Sequence, residues 1–212
     1  MKILYEDNFL VIAKKPQGVP SQPDPSGRDD MVTLLSRECG CGIFCVHRLD
    51  TPTGGVMVYA KDSKTAGRLT AALSAENAVK EYVCAFYGKC EKEGSMKDLL
   101  FHDKRKNKAY VVDRQRSGVK EALLDYSLLS SNKETSLARV TLHTGRTHQI
   151  RVQFASRHLP LVGDGKYGAK DNMPLALYCF RLAFDHPVTG KRLDTVFLPE
   201  SPWFSFNLDE IF

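Results

Sequence analysis

A histidine, an arginine and an aspartate stand directly upstream of an apolar run in HRLDTPTGGVMVYAK, residues 47–61. Charged side chains on the approach to a buried strand cost free energy unless they are paired. Asp50 could simply begin a turn by accepting backbone N–H groups, or it could be a reactive carboxylate. A carboxylate-based hydrolase of nucleosides or glycans would need a second acid, whereas the neighbours of Asp50 are basic or carry hydroxyls.

Apolar alternation and helical periodicity predict the elements that position these groups. Helices are expected from Asp62 or Ser63 to about Asn77, and from a cap at Thr147 through Ile150 and Phe154. Short turns between consecutive strands indicate a largely antiparallel sheet with two helices packed on it. We therefore expect an α+β fold, a single domain over 1–212, with long loops that line a cleft. The strands are expected at 9–13, 56–60, 80–88, 121–129, 136–144, 178–186 and 192–199.

The composition is that of an ordinary soluble globular protein, with 42% apolar and 26% charged residues. The sequence has no run of about 18 apolar residues that would cross a membrane. The N-terminus, MKILYEDNFLVIAKK, lacks the cleavage site of a secretory signal. We expect a cytoplasmic protein without a membrane partner, a monomer with no obligate protein partner.

Positive charge is concentrated in two places, although lysine and arginine outnumber aspartate and glutamate only by 30 to 25. Such clusters indicate a polyanionic partner, namely nucleic acid, or merely a solvated face that keeps the protein soluble. The first cluster lies in HDKRKNKAY, residues 102–110, and contains Lys104, Arg105, Lys106 and Lys108; the second contains Arg146, Arg151 and Arg157.

The six cysteines are too sparse for a small disulfide-stapled domain. Cys39, Cys41, Cys45 and His47 could supply four ligands to zinc, but their spacing, C-x-C-x3-C-x-H, differs from the C-x2-C pairs of structural zinc sites. We therefore expect reduced thiols, buried or half-buried beside a strand, and no metal.

The segment HRLDTPTGGVMVYAKDSKTA closely resembles the H-R-L-D-x-x-T-S-G-L-L-L-x-A-K motif of the RluA family of pseudouridine synthases. LYEDNFLVIAKKPQGVPS resembles the family's opening strand and K-P-x-G loop, and KEYVCAFYG resembles its K-x-Y strand. LHTGRTHQIRVQFASRHLPLVGDGKYG is similar to its third motif, and FDHPVTGKRL to its final turn. Departures are Gly54 for Ser, Gln153 for a frequent His, and LYC at 177–179 for L-H-A. We expect a stand-alone catalytic domain without the small N-terminal RNA-binding domain of many members.

The resemblance implies a pseudouridine-synthase-like fold and isomerisation of a uridine in ribosomal or transfer RNA, without a cofactor. The N1–C1′ bond breaks, the uracil rotates, and C5 bonds to C1′. Asp50 matches the catalytic carboxylate, which either attacks C1′ or removes a proton from C2′. Arg151 matches the cation that would hold this carboxylate ionised and oriented. Tyr82 matches the pocket tyrosine, which can stack on the uracil and assist proton removal from C5.

The target uridine has to leave the RNA stack, because its reacting atoms lie inside the stack. Arg48 is suited to fill the space that the base vacates. Arg146, His148 and the cations at 104–108 can hold phosphates, which adds affinity without sequence information. The alternative is an RNA-binding or RNA-remodelling relative that has lost catalysis, against which the joint presence of Asp50, Tyr82 and Arg151 argues.

Overall fold

Strands and helices follow most of the predicted pattern in the computed structural model, which describes residues 1–25, 27–201 and 203–212. In chain order the strands are β1 (Lys2–Glu6), β2 (Leu10–Lys15), β3 (Phe44–Cys45), β4 (Gly54–Ala60), β5 (Val79–Tyr87), β6 (Glu93–Asp103), β7 (Lys108–Val112), β8 (Val119–Ser131), β9 (Thr135–Leu142), β10 (Leu177–Asp185) and β11 (Arg192–Val196). The helices are α1 (Met31–Cys39), α2 (Ser63–Ala72), α3 (Gln149–Ala155) and α4 (Leu208–Ile211), and a 3-10 turn spans Gly165–Tyr167.

The chain divides into two compact units. The first unit is Met1–Lys80 with Cys179–Pro199, and the second is Glu81–Tyr178 with Glu200–Phe212. Antiparallel strand pairs build both units, and short helices flank them. The predicted α+β class with a mostly antiparallel sheet is therefore confirmed. The extent of the catalytic domain, 1–212, stays a prediction.

In the first unit, β4 is buried along its whole length. The strand order is β1-β2-β4-β10, with β3 paired to β4 and β11 paired to β10. Leu69 and Leu73 of the α2 segment pack on alternate apolar residues of β2 and β4, including Ile12 and Val58, which lie opposite each other. Aspartate caps this helix as expected, because Asp62 Oδ1 accepts the N–H of Thr65 at 2.8 Å.

The strand expected at 56–60 begins two residues earlier, with Gly54 and Gly55. Gly55 has φ +134°, and a Cβ there would lie 2.3 Å from the carbonyl oxygen of Cys179 on β10. Only glycine permits this conformation and this close approach of two backbones. Gly55 therefore lets β4 and β10 come together.

In the second unit, the strand order is β5-β9-β8-β6-β7, and α3 covers one face of the sheet. Phe154 of α3 packs against the rings of Phe86 and Tyr126, with centroids 5.1 and 6.0 Å apart. The expected hairpin across SNKET is confirmed as β8 and β9. Burial of Ile150 and Phe154, at 3% and 0% exposure, is also as predicted.

One helix boundary was predicted wrongly, and one helix and one hairpin were not predicted. The second helix ends at Ala72 rather than Asn77, and α1, capped by Asp30, was not predicted. The first basic cluster, residues 102–110, where no strand was predicted, contains the tight turn 104–107 between β6 and β7. We call β6, this turn and β7 the basic hairpin.

Thr147 does not cap α3, contrary to the prediction. The residue before the helix is His148, with φ 54°, and its side chain makes no capping hydrogen bond. The side chain of Gln149 holds this turn instead, since its Oε1 accepts from Arg146 N–H at 3.0 Å and from Thr144 Oγ1 at 2.8 Å. Within the residues described, no helix is both long and apolar enough to cross a membrane.

Candidate active site

Asp50 lies on the loop between β3 and β4 and is half-buried. Its backbone carbonyl accepts the N–H of Thr53 at 2.8 Å, which closes a turn. Immediately before it, Leu49 exchanges two hydrogen bonds with the buried hydroxyl of Ser21, at 2.8 and 3.1 Å. The segment that follows β2 therefore fixes the backbone on which Asp50 stands.

The ammonium group of Lys15, at the end of β2, is a second support of this loop. The side chain is wholly buried, and Nζ donates to the carbonyl oxygens of Pro16 at 3.1 Å, Val19 at 2.6 Å and Thr51 at 3.1 Å. Burial lowers the pKa of Lys15 to about 8, while the charge of Asp50 acts in the opposite direction. The sequence analysis missed this cation, although a lysine that closes an apolar strand and precedes proline is a detectable signal.

His47 is neutral, although the sequence suggested a cationic group beside Asp50. Its Nε2 accepts the N–H of Val58 at 3.1 Å, so the ring proton is on Nδ1. Burial, with a smaller contribution from the charge of Lys80, lowers the pKa of His47 to about 3. The imidazole therefore accepts a hydrogen bond from a backbone amide of β4 and carries no charge at neutral pH.

His47 should make the protein less stable as the pH falls below 6.5. The unfolded chain takes up a proton at His47 near pH 6.5, whereas the folded chain does so only near pH 3. Protons therefore favour the unfolded state between these values, and His47 accounts for a loss of at most about 2 kcal/mol from pH 6.5 to 5. Urea unfolding at both pH values measures this loss.

Two variants distinguish the protonation of His47 from other effects of acid on the stability of the protein. His47→Gln keeps an acceptor for Val58 N–H but cannot be protonated, so its stability should depend less on pH than that of the wild type. The exposed His158 has φ 62°, a conformation that asparagine tolerates. His158→Asn should leave the pH dependence unchanged. An equal pH dependence in wild type and His47→Gln would refute the assignment.

Arg151, on α3 in the second unit, is 5% exposed and forms a two-pronged ion pair with Asp164. Nε donates to Oδ2 and Nη2 donates to Oδ1, each at 2.8 Å. Such a fork holds the guanidinium plane in one orientation. Sequence reasoning missed Asp164, although it lies in the GDGKYG segment of the third motif. The expected pairing of Arg151 with Asp50 stays a prediction.

Tyr82, on β5 of the second unit, is 8% exposed. It lies opposite Val140 of β9, and alternation along the strand places it on the same face as Cys84 and Phe86. Phe86 packs against Phe154 of α3. Tyr82 therefore belongs to the sheet face that α3 covers, the helix that also carries Arg151.

The predicted RNA-binding cations of the basic hairpin lie at its tip. Lys104, Arg105 and Lys106 are exposed in the turn, and Lys108 is half-buried at the start of β7. Asp103 shapes the turn, because its Oδ1 accepts the backbone N–H groups of residues 105 and 106 at 2.9 and 3.2 Å. Three adjacent cations thus face solvent on a turn of defined geometry.

The other predicted RNA contacts are in different environments. Arg48 is exposed. Arg146 is half-buried, and its Nε donates to the carbonyl of Glu121 at 2.7 Å. His148 is buried at 8% exposure, and its Nδ1 lies 2.9 Å from the hydroxyl of Tyr167. RNA binding by these three residues stays a prediction.

The cysteines are free thiols, as expected. Cys84 and Cys179 are buried, and the other four are half-buried. Cys45 donates to the carbonyl of His47 at 3.0 Å, and burial raises the pKa of its thiol to about 11. Across the described part of the chain, no group of three or more His, Cys, Asp or Glu side chains could hold a metal ion.

One of the sequence departures has a structural explanation. The Nε2 of Gln153 donates to the carbonyl of Met96 at 3.0 Å and to the carboxylate of Asp98 at 2.7 Å. Asp98 also accepts from Arg157 at 2.9 Å. Gln153 therefore attaches α3 to β6.

The chain is similar to one sequence family and to several proteins named as pseudouridine synthases. Residues 9–156 match the sequence family described as RNA pseudouridylate synthase. The chain is 33% identical over 218 residues to a ribosomal large subunit pseudouridine synthase D of Borreliella burgdorferi, an alignment that covers 94% of this chain and 65% of that protein. It is 30% identical over 215 residues to the uncharacterized RNA pseudouridine synthase YhcT of Bacillus subtilis, with 96% and 68% covered. The chain thus spans about two thirds of the length of these relatives.

Two solved human structures share the fold. The structure of RNA pseudouridylate synthase domain containing 4 matches with a TM-score of 0.78 at 23% identity, and covers 96% of this chain and 90% of that one. The structure of RNA pseudouridylate synthase domain containing 1 also matches with a TM-score of 0.78, at 20% identity, and the coverage is 93% and 83%.

Proposed function

The chain belongs to the RNA pseudouridylate synthase family, and on that premise we propose that it isomerises uridine to pseudouridine in RNA. The observation that carries the proposal is the way the Asp50 loop is held in place. The residues on either side of this half-buried carboxylate are hydrogen-bonded to the buried side chains of Ser21 and Lys15. Enzymes hold reactive groups on such rigid supports, because small displacements cost rate. A residue that merely begins a turn needs no such support.

Asp50 is the catalytic carboxylate of this proposal. Breaking the N1–C1′ bond develops positive charge at C1′, which an ionised carboxylate can stabilise or attack. Removal of the C2′ proton by the same carboxylate is the other route. In both routes the uracil rotates, C5 bonds to C1′, C5 loses its proton and N1 takes up one. The bond from Asp50 to C1′ breaks again in the first route, and the proton returns to C2′ in the second. The reaction consumes no co-reactant, so a cofactor is not required.

Arg151 and Tyr82 complete the proposed catalytic set. Arg151 holds the Asp50 carboxylate ionised, and its orientation by Asp164 supports this role because a guanidinium fixed in one plane presents its donors in a fixed direction. Tyr82 stacks on the rotating uracil, and its phenol assists removal of the C5 proton. Both assignments rest on the sequence motifs together with the burial of the two side chains.

Ribosomal RNA of the large subunit is the substrate class we propose. Relatives from Borreliella burgdorferi, Vibrio cholerae and Pseudomonas aeruginosa, at 30–33% identity, are named ribosomal large subunit pseudouridine synthase D. The exposed Arg48 occupies the space that the extruded uridine leaves in the RNA base stack. Arg146, His148 and the four cations of the basic hairpin hold phosphates. We also propose that the protein acts in the cytoplasm, where ribosomal RNA is found, and that it is a monomer.

Incubation of the purified protein with transcripts of large-subunit ribosomal RNA tests the proposal, with transfer RNA as the comparison. Carbodiimide labelling and primer extension locate each pseudouridine, and tritium release from [5-³H]uridine gives the rate. We expect product at defined ribosomal positions. Product only in transfer RNA would overturn the substrate class. RNA binding without product in any RNA would favour the catalytically inactive relative.

Replacing the four cations of the basic hairpin by glutamine should weaken RNA binding without slowing the chemical step. Each lost phosphate contact should reduce the slope of log affinity against log salt by roughly 0.7 for single-stranded RNA. At saturating enzyme, the single-turnover rate should approach the wild-type value. Binding titrations at several salt concentrations and rapid-quench assays measure the two quantities. The four cations are Lys104, Arg105, Lys106 and Lys108.

A matched control removes four exposed cations from other surfaces. This second variant should keep the wild-type slope. If both variants lower the slope equally, the hairpin is only part of a general positive charge. If the hairpin variant loses its saturating rate, the hairpin cations help to assemble the site. The control residues are Lys64, Arg68, Lys133 and Lys191, all exposed.

A further inference from the structure

Tyr167 connects two parts of the second unit that the proposed function treats separately. It is the last residue of the 3-10 turn Gly165–Tyr167 and is half-buried. Its hydroxyl accepts the backbone N–H of Ala109, in the basic hairpin, at 2.8 Å. The same hydroxyl lies 2.9 Å from Nδ1 of His148, next to α3. One side chain thus contacts both the proposed RNA-binding hairpin and the start of the helix that carries Arg151.

The Tyr167 hydroxyl contacts the backbone of the hairpin, and the Tyr167 ring lies 5.1 Å from the ammonium group of Lys108. β7 is the last strand in the order of the second unit, and the outward N–H groups of an edge strand lack a neighbouring strand. The Tyr167 hydroxyl satisfies one of them, at Ala109. Lys166 adds a second attachment, since its Nζ donates to the carbonyl of Asn107 at 2.9 Å. The hairpin would therefore stay attached if its exposed lysines were neutral.

The ring of Tyr167 contacts the guanidinium of Arg151. Cζ of Arg151 lies 5.2 Å from the ring centroid, within the range of cation–π attraction. Asp164, at the start of the same segment, holds Nε and Nη2 of that guanidinium. The segment 164–167 therefore restrains the guanidinium at its edge through a carboxylate and at a second point through an aromatic ring.

We propose that Tyr167 is a positioning residue that fixes the direction of Arg151 and couples it to the docking of the basic hairpin. The proposal rests on the proposed function, in which Arg151 acts on the catalytic carboxylate. The proposal implies that different parts of the hairpin determine RNA affinity and reaction rate. The exposed cations at 104–106 set RNA affinity, and the attachment of the hairpin through Tyr167 sets the rate of the bound complex.

Tyr167→Phe tests the hydroxyl, and Tyr167→Leu tests the hydroxyl and ring together. The single-turnover rate at saturating enzyme should fall about tenfold for Tyr167→Phe and further, to about a hundredfold, for Tyr167→Leu, the size of loss that misplacement of a catalytic group produces. The salt slope of RNA binding should remain that of the wild type. This pattern is the reverse of that expected for the four-glutamine hairpin variant.

Tyr110→Phe is the matched control, since it removes a hydroxyl from the same hairpin. It should keep the wild-type rate and affinity. Thermal unfolding shows whether each variant is folded at the assay temperature, and a purely structural role would lower the melting temperature with a normal saturating rate. Wild-type rates in Tyr167→Phe and Tyr167→Leu would overturn the proposal.

A readout without catalysis distinguishes this proposal from the proposed function. In ¹⁵N spectra of the unliganded protein, the Nε–H signal of Arg151 reports how rigidly the guanidinium is held. It should broaden or shift in both Tyr167 variants and stay unchanged in Tyr110→Phe, and the amide of Ala109 should exchange faster in the Tyr167 variants. If these spectral changes occur but the wild type forms no pseudouridine, only the proposed function is refuted. An unchanged Arg151 signal in an active enzyme would refute the coupling alone.

Discussion

Asp50→Asn should abolish pseudouridine formation and leave both the fold and RNA affinity close to those of the wild type. Asparagine has nearly the same shape, and the turn to Thr53 uses the backbone carbonyl of Asp50, which the substitution retains. The amide, however, carries no charge to stabilise or attack C1′ and cannot remove a proton from C2′. We expect the single-turnover rate to fall on the order of 10⁴-fold or more, as for removal of a catalytic nucleophile.

The measurement is tritium release from [5-³H]uridine RNA at saturating enzyme, with affinity from a separate titration. Asp50→Ala should be as inactive as Asp50→Asn, since both lack the carboxylate. Asp29→Asn is the matched control, because Asp29 belongs to the same unit and pairs with Arg37 at the surface. It should react at the wild-type rate. More than a tenth of the wild-type rate in Asp50→Asn would remove Asp50 from the catalytic role.

Strands with a regular apolar pattern could be predicted from the sequence, and those without one could not. β4 is an uninterrupted buried run, and β9 alternates buried and exposed residues near its centre. β6 has only two buried residues in eleven, Met96 and Leu100, so its pattern resembles that of a polar loop. No strand was therefore predicted in the basic hairpin. Its position depends on contacts such as Tyr167 to Ala109, which sequence periodicity does not encode.

The site was predictable to the extent that its residues occur in short motifs. Asp50, Tyr82 and Arg151 were assigned from motifs spread over about a hundred residues of sequence. Lys15 and Asp164 were not, because a lysine is normally exposed and an aspartate among glycines normally forms a turn. Burial of Lys15 depends on carbonyl groups from two separate segments that meet only in the folded chain. The sequence can therefore point to such supporting residues, but their partners are known only from the folded chain.

Gly55→Ala should destabilise the protein severely, with a loss of about 4 kcal/mol or more in the free energy of unfolding. Two independent effects act at this position. A φ of +134° is a conformation that residues with a side chain rarely adopt. In addition, the new methyl group would lie 2.3 Å from the carbonyl oxygen, 2.6 Å from the nitrogen and 2.7 Å from the Cβ of Cys179. Two of these three atoms are backbone atoms of β10, so a change of rotamer cannot relieve the overlap.

The two strands would have to separate at the point where β4 leaves the Asp50 loop, so activity should be lost together with stability. Urea unfolding and the yield of soluble protein measure the effect. Gly67→Ala is the matched control, since Gly67 lies on the exposed side of α2 with no atom within 4 Å of the added methyl group. Alanine favours a helix over glycine, so this variant should gain about 0.5–1 kcal/mol. A Gly55→Ala protein within 1 kcal/mol of the wild type would show that β4 and β10 do not approach as closely as described.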